Sequence, residues 1–420
     1  MKKIFNFALY DFANSAFTTI IITFIFATYF AKQIAPNPVM GQSYWGWTIG
    51  ITGFLVAIIG PIVGSFADKK NRIVFFVRCF SLLCIVFTAL LWFSKPSQSY
   101  LLYTLVIVGI ANLFYELSLI LDNSLLKDIS KNKNLGKSSG FGFALGYIGG
   151  IIILVISIKL FIDTDNLPFG LTKEESKNVR AIALLVSIWF LIFSIPFLFF
   201  AIKKRETKKN YHIKFSDLKK LLWNKKITTL GKFLIARMLY ADGLNAIIVM
   251  GGIFAVGVFN LEIKDLLKLS IIMNVTAFIG AFAGGIINDK YGSKILIIFS
   301  LIGLIFSSIA ILFTFSASTF FYLAAINGLF IGPIQSASRV VITSMLNKDD
   351  QGKGFGLFAT SGKLTSFLGP LLVSTVTFLS ESQRIGFSAA IILLLFNIEV
   401  ITTRLADCIG PIKRPLIAAR

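Results

Sequence analysis

The sequence predicts an all-α integral membrane protein with twelve transmembrane helices in two six-helix bundles. Of its 420 residues, 56% are hydrophobic and only 15% are charged, and the mean hydropathy is +0.81. A water-facing surface needs more charge than this, so the lipid bilayer is the solvent of most of the chain. Twelve long apolar runs and a loop motif that occurs once in each half predict the same class.

The apolar runs divide the chain into two sets of six. A helix needs about 20 apolar residues to cross a bilayer, and backbone groups in hydrocarbon must be satisfied within the segment, so each run predicts a helix. The runs cover residues 4–31, 44–67, 73–93, 100–124, 138–160 and 180–202, then 228–257, 267–288, 294–315, 319–345, 354–379 and 384–403. We expect an N-terminal bundle over residues 1–202, a cytoplasmic basic amphipathic linker over 203–226, and a C-terminal bundle with a short cytoplasmic tail over 227–420.

The distribution of Lys and Arg predicts the orientation. With twelve spans both termini lie on one side, and the segments on that side carry 27 Lys and Arg residues against 9 on the other. Because cytoplasmic loops are rich in these residues, we expect both termini in the cytoplasm and the chain in the cytoplasmic membrane of a bacterium. This bias explains the net charge of +21 without a nucleic-acid partner. Membrane lipids and a small-molecule solute are the expected partners of a monomer.

Residues 211–226 of the linker alternate apolar side chains with lysines. Such a basic amphipathic stretch is typical of a segment that lies on an anionic inner leaflet. A solvated linker between the two halves is the alternative.

Three features recur at a nearly constant offset. The aspartates of the loop motif, Asp68 and Asp289, are 221 residues apart, and a Ser after the fourth run and one after the tenth are 220 apart. The acids of the first and seventh runs, Asp11 and Asp242, are 231 apart. A constant offset over separate elements predicts parallel repeats, an arrangement in which a solute binds between the halves near the midplane of the membrane.

The loop motif is a glycine, an aspartate four residues later and a basic cluster. The two copies contain Gly64, Asp68 and Arg72, and Gly285, Asp289 and Lys290. The glycine permits two helices to approach closely, and the aspartate can pair with the basic cluster or cap a neighbouring helix N-terminus. We interpret these six residues as a cytoplasmic gate. A tight turn with cytoplasmic positive charges is the alternative.

An acid and an amide share one helix face in two of the runs. Asp11 and Asn14 are three residues apart, and Asp242 and Asn245 repeat the spacing. A carboxylate within a span costs free energy unless it is paired or faces a water-filled cavity, so intramembrane acids indicate function. We predict that these four residues contact the solute. The alternative is a structural hydrogen bond to neighbouring helices.

The fourth run carries a further polar pair, Asn112 and Glu116, one helical turn apart. Asn112 and, in the tenth run, Gln335 are predicted solute contacts. Glu116 is the candidate for proton coupling, because burial would favour its protonated form. A structural acid paired with Arg78, Arg237 or Arg339 is an equally good interpretation.

Several chemistries are absent from the sequence. It contains no phosphate-binding loop of the Gly-rich Lys-Ser/Thr type, no nucleophile elbow and no clustered Cys and His ligands. We therefore expect no enzyme activity, no cofactor and no metal. The single His212 lies in the linker, so a histidine proton relay is excluded.

Several motifs of the sequence resemble those of a known protein family. The paired loops are similar to those of the major facilitator superfamily, and Tyr10-Asp11-Phe-Ala-Asn14-Ser15 resembles a motif of its branch of bacterial UMF1 transporters and Atg22-like vacuolar effluxers. Further similar motifs are Gly142-Phe-Ala-Leu-Gly146-Tyr147-Ile-Gly149-Gly150, Leu239-Tyr240-Ala-Asp242-Gly243, Gly332-Pro-Ile-Gln335-Ser-Ala-Ser338-Arg339, Phe355-Gly356 and Ser361-Gly362-Lys363. The motifs lie in both halves, so the resemblance covers essentially the whole chain.

The resemblance implies a secondary transporter that alternates access by a rocker-switch movement of its halves. Through the fungal members it implies efflux of amino acids. Two positions depart from the pattern: Phe12 replaces a tryptophan, and Asn71 replaces a glycine of the first loop.

Together these observations predict a secondary active transporter of a small polar solute, such as an amino acid or related metabolite, driven by the solute gradient or by protons. Two alternatives remain, of which the first uses the same scaffold. A lipid or lysolipid flippase requires an apolar cavity flank, against which the polar pairs argue. A non-transporting membrane sensor or assembly factor requires a partner domain outside the membrane.

Overall fold

The computed structural model describes residues 2–70, 72–200, 215–224, 226–259, 261, 263–366 and 368–404. The chain forms two compact units. Unit 1 comprises residues 1–130, 142–211 and 348–359, and unit 2 comprises 131–141, 212–347 and 360–420. Each unit therefore contains the start of one helix whose remainder belongs to the other unit.

Six long helices form the first half of the sequence. They are α1 (Lys2–Ile34), α2 (Pro38–Lys70), α3 (Ile73–Leu90), α4 (Leu101–Ser124), α5 (Leu135–Ser157) and α6 (Lys177–Phe200). Helix α1 changes from α-helical to π-helical winding at Phe17–Phe24 and again at Phe30–Ile34. Windings of this kind are often found at functional sites, and the first one begins three residues after Asn14.

The second half forms α7 (Thr229–Phe259), α8 (Ile263–Tyr291), α9 (Ser293–Phe313), α10 (Ala317–Met345), α11 (Gln351–Lys363), α12 (Leu368–Ser380) and α13 (Gln383–Arg404). In the described part of the linker, a helix over Phe215–Leu222 precedes a two-residue antiparallel ladder in which Trp223 pairs with Ile227. Residues 203–214 of the predicted linker, the tail beyond 404 and Asn71 lie outside the described residues.

Ten helical segments within the described residues are long and apolar enough to cross a membrane. They correspond to the first ten predicted runs. Helix α13 contains a shorter apolar stretch, Gln383–Leu395, and the eleventh run is divided between α11 and α12.

Each unit is built on the same helix pairs. In unit 1, α1 packs on α6, α2 on α4, and α3 on both α4 and α6. In unit 2 the corresponding pairs are α7 with α13, α8 with α10, and α9 with both α10 and α13. The repeat predicted from sequence offsets is therefore also a repeat of tertiary packing.

The eleventh run was predicted as one helix but is interrupted between Lys363 and Leu368. Pro370 explains the interruption, because proline has no N–H to bond the carbonyl four residues earlier and its ring clashes with that carbonyl. The carbonyl concerned is that of Ser366, and it accepts a hydrogen bond of 2.8 Å from Asn245 Nδ2 on α7 instead. A side chain from another helix thus replaces the bond that proline removes.

Two partly buried helix ends are capped by arginines at equivalent places. At the end of α3, Arg180 Nε donates to Trp92 O at 2.6 Å, and its guanidinium lies 4.9 Å from the centre of the Trp92 ring. At the end of α9, Arg384 Nη1 donates to Leu312 O at 2.6 Å, with Phe315 4.5 Å away. The last carbonyls of a helix have no intrahelical partner and carry partial negative charge, so a cation stabilises them.

We predict that Arg180→Gln lowers the thermal unfolding midpoint of the purified protein. Arg180 is only 4% exposed, and its loss removes a charge-assisted hydrogen bond to the Trp92 carbonyl, a loss of about 2 kcal/mol. The purified protein is heated in detergent, and its unfolding is monitored by intrinsic fluorescence.

The matched control is Lys173→Gln. Lys173 bonds Asp165 at 2.7 Å, and this hydrogen bond and its charge lower the pKa of the Asp165 carboxyl. The Asp165 side chain is 99% exposed, so water screens the pair and the midpoint should not change. Equal midpoints for both variants would contradict the capping role of Arg180.

Candidate functional site

The acid and amide of α1 are both buried. Asp11 is 5% and Asn14 is 4% exposed. Among the described residues, Asn14 Nδ2 has no hydrogen-bond partner. A buried polar group of this kind costs free energy unless something bonds it, so the amide is available to a ligand.

Helix α5 passes directly over this part of α1. A Cβ atom built on Gly149 would lie 2.3 Å from Phe12 O, and one on Gly146 would lie 3.4 Å from Asp11 O. Two of the motifs singled out in the sequence are thus in contact. Glycine is needed at position 149, because a side chain there would collide with the backbone of Phe12.

The same arrangement occurs on α7. Asp242 is 4% exposed and Asn245 is half-buried. A Cβ atom on Gly369, at the start of α12, would lie 2.4 Å from Asp242 O. Among the described residues no group donates a hydrogen bond to Asp242 Oδ1. In each half, therefore, the backbone of the acid on the first helix (α1 or α7) is next to a glycine of the fifth apolar run of that half (on α5 or α12).

Tyrosines next to these acids fix the two helices. Tyr10 Oη lies 2.6 Å from Ser81 Oγ and donates to Ser118 Oγ at 3.2 Å. In unit 2, Tyr240 Oη lies 2.6 Å from Ser338 Oγ on α10. Both tyrosines are buried and hydrogen-bonded, so they hold the register of α1 on α4 and of α7 on α10.

The remaining predicted polar residues differ in their surroundings. Asn112 Nδ2 donates to Thr52 Oγ1 on α2 at 2.8 Å, while Glu116 and Gln335 are half-buried. Of the suggested counter-ions for Glu116, Arg78 Nε donates to Leu198 O, and Arg237 Nη1 donates to Ser361 Oγ at 2.9 Å.

The first copy of the loop motif caps a helix within unit 1. The Asp68 carboxylate accepts hydrogen bonds from Gly352 N at 3.1 Å and Lys353 N at 2.8 Å, in the first turn of α11. Gly64 packs against the same turn, since a Cβ atom there would lie 2.1 Å from Gly352 O. Free N–H groups and the helix dipole both favour a carboxylate at this place.

The second copy does the same within unit 2. The Asp289 carboxylate accepts from Gly136 N at 2.7 Å and Lys137 N at 2.9 Å, in the first turn of α5. A Cβ atom on Gly285 would lie 2.7 Å from Gly136 O. Of the two roles considered for the aspartates, the structure shows helix capping.

The basic residues of the motif are on the surface. The Arg72 side chain is exposed, and the Lys290 ammonium lies 5.0 Å from the centre of the Tyr291 ring. Gly292 has a φ of 91°, a backbone conformation that favours glycine.

Sequence reasoning did not single out several residues that complete these contacts. Thr52 and Ser81 are single hydroxyl residues in apolar runs, and nothing in their spacing distinguishes them. Gly369 and Pro370 did carry a signal, since a Gly-Pro pair inside an apolar run marks a turn or an interrupted helix.

Within the described residues no cluster of three or more His, Cys, Asp or Glu side chains could hold a metal ion. Buried acids on membrane helices, a duplicated six-helix pattern and capped glycine-aspartate loops together define a membrane transporter of the major facilitator class. Comparison with solved structures supports this fold: the human organic anion transporter MFSD10 superposes with a TM-score of 0.71 at 16% identity, over 95% of this chain and 98% of that one.

The chain belongs to the Atg22-like vacuole effluxer family, whose model matches residues 32–405. YxiO of Bacillus subtilis (strain 168), described as an uncharacterized MFS-type transporter, is 26% identical over 94% of this chain and 93% of its own length. Autophagy-related protein 22 of Yarrowia lipolytica (strain CLIB 122 / E 150) is 24% identical over 61% of this chain and 48% of its own length. The predicted fold class and the assignment to a transporter, not an enzyme, are confirmed.

We predict that Gly64→Ala destabilises the protein. The new methyl group would meet backbone atoms of Gly352, which cannot move aside as a flexible side chain can, and overpacking of this kind costs about 1–3 kcal/mol. The thermal unfolding midpoint of the purified protein measures the effect.

Gly50→Ala is the matched control on the same helix, because a Cβ atom there has nothing within 4 Å. It should leave the midpoint unchanged or raise it slightly, since alanine favours the helix by up to about 1 kcal/mol. A Gly64→Ala variant as stable as Gly50→Ala would show that the close contact is not required.

Proposed function

We propose that this multi-pass membrane transporter moves a small polar solute, an amino acid or related metabolite, by secondary active transport. The observation that carries the proposal is the pair of buried acid-amide motifs on α1 and α7. Asn14 Nδ2 and Asp242 Oδ1 are polar atoms with no hydrogen-bond partner among the described residues. Groups of this kind can bind the ammonium and carboxylate of an amino acid, which need a hydrogen-bond acceptor and a donor respectively.

The proposed solute contacts are Asp11, Asn14, Asn112, Asp242, Asn245 and Gln335. The family name supports a vacuolar efflux role for the fungal members, and efflux is the direction we propose for this chain. Glu116 is the proposed proton-coupling group, since it lies one turn from Asn112 and is half-buried. Coupling to the solute gradient alone is the alternative.

Alternating access would proceed by a rocker-switch movement of the N-terminal bundle (residues 1–202) and the C-terminal bundle (227–420). Gly64, Asp68 and Arg72, with Gly285, Asp289 and Lys290, form the proposed gate. The two capping contacts support this role, because each ties a loop of one half to the first turn of a helix from the other half of the sequence. Breaking them would release the cytoplasmic helix ends.

The proposed setting is the cytoplasmic membrane of a bacterium, with both termini in the cytoplasm and the protein acting as a monomer. The excess of Lys and Arg on the terminus side supports this orientation. The basic linker would lie on the anionic inner leaflet, where each Lys contributes about 1 kcal/mol of attraction.

The solute can be identified by thermal shift. Purified protein is heated with separate amino acids, nucleosides and sugars, and a bound solute raises the unfolding midpoint because it binds only the folded state. We expect one or more amino acids to raise it. A response confined to sugars or nucleosides would contradict the proposed class.

We predict that Asp11→Asn abolishes transport of that solute into proteoliposomes while expression and the unfolding midpoint are retained. The change keeps the shape of the side chain and removes only its charge. Asp163→Asn, in an exposed loop, is the control and should transport normally. Unaltered transport by Asp11→Asn would remove Asp11 from the solute site.

A further inference from the structure

The carboxyl group of Asp242 is buried well inside helix α7, which runs from Thr229 to Phe259. Only 4% of the residue is exposed. Thr365 is a side-chain hydrogen-bond partner of the carboxyl group, and Oδ1 has no donor within hydrogen-bond distance among the described residues. A carboxylate anion offers about four acceptor positions. The described structure therefore satisfies an anion at this place only in part.

Close packing keeps the surroundings of Asp242 apolar. A Cβ atom on Gly369 of α12 would lie 2.4 Å from Asp242 O and 3.0 Å from Ala246 Cβ. On the next residue of α7, a Cβ atom on Gly243 would lie 2.7 Å from Leu394 Cδ2 on α13. Two helices thus close on this turn of α7. A negative charge there costs free energy, because apolar neighbours replace the water that would solvate it.

The described cations of unit 2 do not compensate this charge. The Thr365 hydrogen bond stabilises the Asp242 anion, and no charge from Arg237, Arg339 or Lys363 adds to it. Arg237 Nη1 donates instead to a hydroxyl of α11 at 2.9 Å. Helix α12 carries no titratable residue. On α7 and the other elements that contact it, the described titratable side chains besides Asp242 are Lys232, Arg237, Tyr240, Lys219, Lys220, Tyr322, Arg339, Lys363 and Arg384.

We propose that Asp242 binds a proton while the solute site is empty and exchanges this proton for the ammonium group of the solute. In the exchange, the O–H bond of the carboxylic acid breaks and the proton leaves to water. An N–H group of the ammonium then donates a hydrogen bond to the carboxylate. One positive charge leaves as one arrives, so the carboxylate is neutralised in both states.

The exchange makes the protein an antiporter of protons against solute. This part of the inference rests on the proposed function, which places Asp242 in the solute site and gives efflux as the direction. One carboxylate cannot hold the proton and the ammonium at the same time, so movement of solute outward is coupled to movement of a proton inward. The proton at Asp242 is additional to the one proposed for Glu116.

Competition between proton and solute sets the pH dependence of binding. While Asp242 is protonated in the empty protein, each unit of rise in pH lowers the competing proton concentration tenfold. The solute affinity should therefore rise about tenfold per unit of pH and level off once the carboxyl group is ionised without solute. Each solute that binds in the rising part of this curve should release one proton.

Infrared spectroscopy tests the proton site without solute. Difference spectra of the purified full-length protein between neutral and alkaline pH should contain the C=O stretching band of a protonated carboxyl group. Asp242→Asn should lose this band and unfold at the wild-type midpoint or above it, because asparagine needs no proton there. Asp163→Asn, in an exposed loop, is the matched control and should keep the band. Loss of the band from Glu116→Gln and not from Asp242→Asn would overturn the inference.

Proton release tests the exchange. The amino acid that gives the largest thermal shift is added to wild-type protein in weakly buffered solution with a pH indicator dye, and its affinity is measured at several pH values. We expect release of one proton per bound amino acid and the tenfold dependence on pH. Binding that releases no proton, or an affinity that does not change with pH, would overturn the exchange and leave the proposed function standing.

The two experiments separate this inference from the proposed function. A carboxyl band that Asp242→Asn removes, together with no binding of any amino acid, nucleoside or sugar, would contradict the proposed function and support proton binding at Asp242. A band that Asp242→Asn leaves intact would show that the residue is ionised in the empty protein, which contradicts the inference whatever solute is transported.

Discussion

The need to satisfy the ends of its helices with charged side chains underlies the structure described above. The first N–H groups and the last carbonyls of a helix have no intrahelical partner, so a helix that begins or ends against other helices is stabilised by a side chain at its terminus. Asp68 and Asp289 supply carboxylates at two N-termini, and Arg180 and Arg384 supply guanidinium groups at two C-termini. Each is a charged group matched to the sign of the helix dipole.

The four caps place charged side chains at helix ends. The glycines beside them have a related purpose, since a charge can reach a helix end only if the backbones are close. Gly64 and Gly285 make that approach possible at the two loops, and Gly149 and Gly369 do so beside the two buried acids. Close packing of the backbones is thus what allows the charged side chains to reach the helix ends.

The two halves are alike in packing and different in detail. Tyr10 and Tyr240 bond serines of the equivalent helices, yet α5 is continuous while α11 and α12 are separated. The difference follows from one residue, because Pro370 leaves a carbonyl that Asn245 must satisfy. One helix of the second half can thus be interrupted while both halves keep the same helix packing.

The sequence by itself determined the membrane class, the two sets of helices and the repeat, because hydropathy and spacing are local properties that do not depend on partners. It also identified Asp68 and Asp289 and offered capping as one of two roles. Only the tertiary structure decided which helix each aspartate caps, that Asn112 bonds Thr52, and that Asn245 bonds a carbonyl of the interrupted helix. Those pairings join residues up to 285 positions apart. A single sequence contains no record of which distant helix faces which, since that depends on how the whole bundle packs.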